Sequence, residues 1–148
     1  MEKILVSACL LGTPCRYDGA SKPNQGVISL QNRYLLIPVC PECQGGLSTP
    51  RIPSEIKNGR VIRKDGVDVT DAYNKGAQAV LQLAKQESIK IAVLKAKSPA
   101  CGKGRVYDGT FTRTLTNGNG ILAELLIKNN IEVFDESELN KLNEDNSK

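Results

Sequence analysis

Histidine is absent from the 148 residues, and so is tryptophan. The first absence removes the Ser–His and Cys–His nucleophile systems and any histidine-ligated metal site. Four tyrosines and two phenylalanines are the only aromatic side chains, too few for the stacking platform that single-stranded nucleic acid requires. Long apolar runs are missing as well. The opening MEKILVSACLLG is interrupted by Ser7 and Gly12 and followed at once by turn residues, so it reads as a buried first strand, not as a signal peptide or a membrane span. Lacking an export signal, the chain is expected in the reducing cytosol (a cytoplasmic protein), where paired cysteines rarely serve as disulfides.

Five cysteines stand against these absences, and in a reducing compartment they point to metal, redox or nucleophilic chemistry. A hydrophobic content of 40% and a charged content of 24% are ordinary for a globular chain. The length suits one domain with a sizeable core. That domain is expected over residues 1–140, with 141–148 as a polar tail that frays. A net charge of +4, with basic residues around 51–64 and 90–113, mildly favours an anionic ligand such as a nucleotide phosphate. Ordinary solvated lysines account for most of that charge.

Strand and helix signals alternate. Residues 3–8 (KILVSA), 34–39 (YLLIPV), 90–96 (KIAVLKA) and 131–134 are short apolar runs bounded by turn residues and read as buried strands. Residues 60–63 are expected as an edge strand after the Asn58-Gly59 turn. Thr70 is a candidate N-cap for an amphipathic helix ending near Glu87. A second helix is expected over 119–129, and Ser137 is a candidate cap for a short terminal helix. Between them, 98–120 reads as a glycine-rich loop with a small hairpin around YDGTFTRTL. This alternation predicts an α/β fold: a single domain with a mostly parallel, Rossmann-like sheet flanked by helices. Such sheets bind ligands beyond the carboxyl ends of their strands. Cys9 lies just past the first strand, Cys40 just past the second, and Cys101 in the loop after the third. Convergence of these three on one rim is the central structural expectation.

The spacing leaves the chemistry of that rim open. CPEC, Cys40 to Cys43, can be half of a structural zinc site, with Cys9 and Cys101 completing four thiolates. A thioredoxin-type pair should open a helix, whereas Gly45-Gly46 and Pro50 argue for a loop here. Three thiolates with a vacant position suit instead a 4Fe–4S cluster with one iron free for a soft substrate atom. Spacing alone does not choose between zinc and iron.

The ordered blocks VSACLLG with CRYDG (6–19), VCPE with GGLSTPR (39–51), DVT with GA (68–77) and LKAKSPACG with YDGTF (94–111) resemble the thiouracil desulfidase family, through nearly the whole chain. The resemblance implies a 4Fe–4S cluster on Cys9, Cys40 and Cys101, a group that can be lost from protein prepared in air. It also implies catalytic roles for Glu42 in the CPE block and Ser98 in the SPxCG block. Cys15 and Cys43 fall where such proteins need not carry cysteine, and Ala100 stands where serine is frequent, which leaves Ser98 as the match for the catalytic hydroxyl. The implied reaction is non-redox removal of sulfur from a thiolated base or nucleotide, with thiolated transfer RNA as a further substrate class.

In that chemistry water attacks the C=S carbon, Glu42 moves the proton and Ser98 orients the base. Asn117–Gly120 is a weaker candidate phosphate site, and Arg16 with Asp18 a candidate structural ion pair. Two readings from other classes compete: a zinc-stabilised binding module that needs Cys43 as fourth ligand, and a nucleic-acid-binding protein using the basic residues.

Overall fold

The computed structural model describes residues 1–146. In chain order its elements are β1 (Glu2–Ser7), α1 (Gln25–Ile28), β2 (Tyr34–Val39), α2 (Pro41–Gln44), β3 (Ser54–Lys57), β4 (Arg60–Arg63), α3 (Thr70–Gln86), β5 (Ile91–Leu94), β6 (Arg105–Tyr107), β7 (Leu115–Asn117), α4 (Ile121–Lys128), β8 (Glu132–Asp135) and α5 (Leu139–Asn146). The four apolar strands form one parallel sheet in the order β2-β1-β5-β8. This is the α/β architecture that the strand–helix alternation predicts.

Side chains alternate across each strand, and both faces of this sheet are covered. Leu5 and Leu94 face α3 and α4, where Val80, Leu81, Leu122 and Leu126 meet them. Ile4, Val6 and Val93 face the opposite layer with Val27, Leu30 and Leu142. Strands buried on two sides have to be apolar at every position, which is why these segments read as continuous runs. Each fully buried Leu, Ile or Val stabilises the fold by roughly 1.5–3 kcal/mol.

Helix α3 forms because Tyr73, Ala77, Val80, Leu81 and Ala84 recur at helical spacing and bury one stripe. Its start corrects the capping expectation. Val69 occupies the cap position, and Thr70 is already helical. The Thr70 hydroxyl is drawn elsewhere: it accepts from the buried Val61 N–H at 2.8 Å, tying the helix to β4.

Strands β3 and β4 pair with each other around Asn58-Gly59, both at positive φ (50° and 76°), as a tight hairpin requires. They make a separate two-stranded ribbon and do not edge the main sheet. The expected hairpin in the glycine-rich segment is present as β6 and β7. The stretch expected as a polar tail continues α5 as far as Asn146, seated by the fully buried Leu142; positions 147–148 lie outside the described residues. Among the described residues no helix is long and apolar enough to cross a membrane.

Candidate active site

A parallel sheet directs all its strand ends to one rim. Here β2 lies on one side of β1 and β5 on the other, so the connections leaving β1 and β5 diverge and open a crevice between them. The crevice is a cavity of about 650 Å³, within the ordinary range for ligand sites. Cys9, Cys40 and Cys101 all line it, together with Glu42 and Ser98. The residues singled out in the sequence are therefore brought to one place.

Each thiol is fixed by its own local device. Cys9 sits in the 3-10 turn Ala8–Leu11 that follows β1 directly, and its carbonyl accepts from Lys22 N–H at 2.9 Å. Cys40 holds the cap position of α2. That turn corrects the expectation of a loop: Pro41, with φ already suited to a first helical position, starts one helical turn, and Gly45 ends it. Cys101 is held by Ser98, whose Oγ accepts from the N–H groups of Ala100 and Cys101, both at 3.0 Å. Ser98 is thus a turn residue as well as a cavity residue. With its oxygen taken by two donors, its remaining capacity is to give its own hydroxyl proton.

Glu42 is clamped. Tyr73 Oη donates to its Oε2 at 2.5 Å, and Arg51 Nη2 pairs with its Oε1 at 3.1 Å. Burial acts to depress the Arg51 guanidinium, but the Glu42 carboxylate and its neighbours outweigh it and leave Arg51 raised. Burial, then the Glu42 charge, keeps the Tyr73 phenol protonated well beyond its usual range. Both partners were missed in the sequence. Arg51 lies in the GGLSTPR block and Tyr73 between DVT and GA, so both were inside recognisable motifs, but nothing local marks either as a partner of Glu42.

Cys15 was also set aside, and the structure brings it in. It is buried, lines the cavity, and its thiol is within hydrogen-bonding reach of both Cys9 and Cys40. Those contacts divide the thiols. The Cys15 hydrogen bond lowers Cys9 against the opposing effect of burial, with help from Lys95 and Arg16. The same neighbour and burial raise Cys40, while burial pushes Cys101 up to about 12. Ser7, at the end of β1, opposes that last shift through a hydrogen bond with Cys101 and accepts from Lys95 N–H at 2.9 Å.

Cys43 stands apart: it is exposed, contacts Thr49 and Cys40, and does not line the cavity. Among the described residues no three Cys, Asp, Glu or His side chains converge tightly enough for a single metal ion. The zinc set of Cys9, Cys40, Cys43 and Cys101 is not assembled around the cavity, because Cys43 does not line it. Four thiols, those of Cys9, Cys15, Cys40 and Cys101, spread around a roomy cavity, and three thiolates of that set suit a larger, multi-iron group. Arg51 Nε–H, buried and without an acceptor among the described residues, is a donor that such a group can satisfy.

Two expectations change. The N–H groups of Gly118, Gly120 and Ile121 are spent on the carbonyls of Gly104, Gly102 and Pro99, so 117–120 is no phosphate site. Arg16 and Asp18 are 4.0 Å apart and partly exposed, a loose surface pair and not a structural one.

Comparison with known proteins places the chain in a family. A solved structure described as the [4Fe-4S]-dependent thiouracil desulfidase TudS superposes with a TM-score of 0.93 at 42% identity, covering 99% of both chains. The uncharacterized protein YbbK of Bacillus subtilis (strain 168) is 38% identical over 149 residues, spanning 94% of this chain and 99% of its own. Residues 4–138 match the 2-thiouracil desulfurase family. On its motifs, its fold and this match, the chain belongs to the 2-thiouracil desulfurase family.

Proposed function

We propose that this protein is a desulfidase that hydrolyses the C=S bond of a thiolated pyrimidine, with a 4Fe–4S cluster held by Cys9, Cys40 and Cys101. The observation that carries this reading is the convergence of three thiols from three strand ends on a cavity that also holds a clamped carboxylate. When bound through three thiolates, such a cluster supplies an open Lewis-acid site with affinity for soft sulfur.

The chain's own residues supply the rest. Water attacks the C=S carbon, and Glu42, paired with Arg51, takes the water's proton and returns it to the departing sulfur or to the ring nitrogen. Tyr73 fixes the other carboxylate oxygen, so the base has one orientation. Ser98 donates a hydrogen bond from its hydroxyl to the ring. One water is consumed, a carbonyl replaces the thiocarbonyl, and hydrosulfide leaves, with no net electron transfer.

A second observation favours a nucleotide over a free base. Lys22, Lys64, Lys97 and Arg113 line the same cavity and have no ion-pair partner among the described residues. Arg51 and Lys95, by contrast, are neutralised by Glu42 and Glu136. Uncompensated cations around a site for a neutral base suit a phosphate attached to that base.

The test is cluster analysis of the anaerobically reconstituted chain alongside single cysteine variants. About four irons and four sulfides per chain are expected, lost in Cys9→Ser, Cys40→Ser and Cys101→Ser and retained in Cys43→Ser. The loaded chain should convert 2-thiouracil to uracil with stoichiometric sulfide. Zinc that iron and sulfide cannot displace, together with loss of metal in Cys43→Ser, would replace this reading with the structural zinc module.

A further inference from the structure

Among the described residues, six other than glycine have positive φ, and three of them, Lys97 (71°), Phe111 (58°) and Arg113 (62°), line the cavity. The other three, Asn58, Ser88 and Asn130, stand at a hairpin turn and just beyond the ends of α3 and α4. Small polar side chains tolerate such turns because they bond locally; a phenylalanine gains nothing of the kind and is a genuine outlier there. Glycine would hold the same backbone at lower cost. Backbone strain of this sort persists only where the surroundings impose it.

The surroundings at Phe111 do impose it. Glu55, a buried carboxylate on β3, accepts the N–H groups of Gly109 at 3.0 Å and of Phe111 at 3.2 Å on one oxygen. Asp108 closes the turn from the other side, accepting from Thr110 N–H and donating its own N–H to Thr114 carbonyl oxygen at 2.9 Å. Gly109 packs so closely on β3 that a Cβ there would lie 2.9 Å from the Ile56 carbonyl oxygen. The segment is a rigid strap, and it holds a half-buried aromatic ring at the wall of a cavity otherwise rich in thiols and cations. Of the other aromatics there, Tyr17 is 41% exposed at the rim with the Arg16 guanidinium over its ring, Tyr73 is buried and bonded to Glu42, and Tyr107 is part of β6.

We propose that Phe111 is a specificity-determining residue that packs against the face of the substrate ring, and that Glu55 is the positioning residue that holds it there. This inference rests on the desulfidase reading and adds the recognition of a planar heterocycle. An apolar planar face is what a thiolated pyrimidine presents, and stacking on an aromatic side chain tolerates variation at the ring's edges.

The backbone strain makes the test discriminating. In the cluster-loaded protein, Phe111→Gly relieves the strained φ while removing the ring. The KM for 2-thiouracil should rise roughly 10- to 100-fold with kcat within about threefold, and the Tm should stay within about 3 °C of wild type. Phe111→Tyr restores the ring and should restore KM. Glu55→Ala should raise KM in the same way, and Glu55→Gln, which keeps an acceptor oxygen, should rescue it. An unchanged KM in Phe111→Gly overturns the proposal, and so does a Tm loss of about 10 °C, which marks a core-packing residue. Should wild-type protein release no sulfide from 2-thiouracil, the desulfidase reading fails. Equilibrium binding of uracil to wild type and Phe111→Gly then decides on Phe111, with weaker binding by the variant supporting it and equal or absent binding refuting it.

Discussion

Glu42 enters the cavity with both carboxylate oxygens engaged, by the Arg51 guanidinium at 3.1 Å and the Tyr73 phenol at 2.5 Å. The ion pair supplies a counter-charge; the phenol adds direction. The two contributions separate by substitution. Glu42→Gln removes the proposed base and is expected to lower kcat at least 100-fold, the lower end of what a positioned acid–base group contributes. Tyr73→Phe keeps the base and its counter-charge and loses only the alignment, so a fall of about tenfold in kcat is expected. Iron and sulfide content should match wild type in both. Single-turnover sulfide release checks this. A Glu42→Gln protein as fast as wild type would mean that the carboxylate serves only to anchor Arg51. At this scale the sequence pointed to Glu42 through the CPE block, whose resemblance to the thiouracil desulfidases implies the role, and through its place beside Cys40. It was silent about the partners because Tyr73 is 31 residues away and meets Glu42 only through the docking of two helices.

That docking is a matter of elements. Turn α2 lies so close on α3 that a Cβ at Gly76 would be 1.7 Å from the Pro41 carbonyl oxygen, and one at Gly45 would be 2.0 Å from that of Ala72. Two glycines facing each other's backbone let the CPE turn rest directly on the helix, which brings Glu42 against Tyr73. Gly76→Ala opposes two effects. Alanine improves the helix by about 1 kcal/mol, but the methyl group meets backbone and must push α2 away, an overpacking cost of about 1–3 kcal/mol or more. The clash wins: Tm should fall by several degrees in thermal unfolding, and Glu42-dependent turnover should fall with it. A rise in Tm would show that α2 yields freely and is not what positions the carboxylate. Elements buried on two sides, such as β1 and β5, were legible because burial forces an apolar run, and α3 because its stripe repeats at helical spacing. The single turn α2 was not, since four residues carry no period and Gly45-Gly46 has the look of a loop. Strand β3 escaped for a related reason: SEIK is half charged, and its Glu55 points to a backbone it must hold, not to solvent.

On the scale of the whole molecule, the order β2-β1-β5-β8 decides what the cavity is made of. Cysteines following β1, β2 and β5 reach the same rim, while the segments beyond them, carrying Lys22, Lys64, Lys97 and Arg113, surround it with positive charge. The net charge of +4 is modest, so the field comes from where the cations sit rather than from their number. A field confined to one cavity distinguishes a mononucleotide from a polynucleotide. At low salt, kcat/KM for a thiouridine 5′-monophosphate should exceed that for 2-thiouracil, with the two converging as ionic strength rises. One phosphate predicts a log–log salt slope of about −1, whereas an RNA contacted at several phosphates predicts about −3 or steeper. Measuring both substrates between low and high salt, with a thiolated transfer RNA alongside, decides between them. A flat profile for the nucleotide would remove the cations from substrate binding, and a steep one with faster turnover of the RNA would make a polynucleotide the preferred substrate.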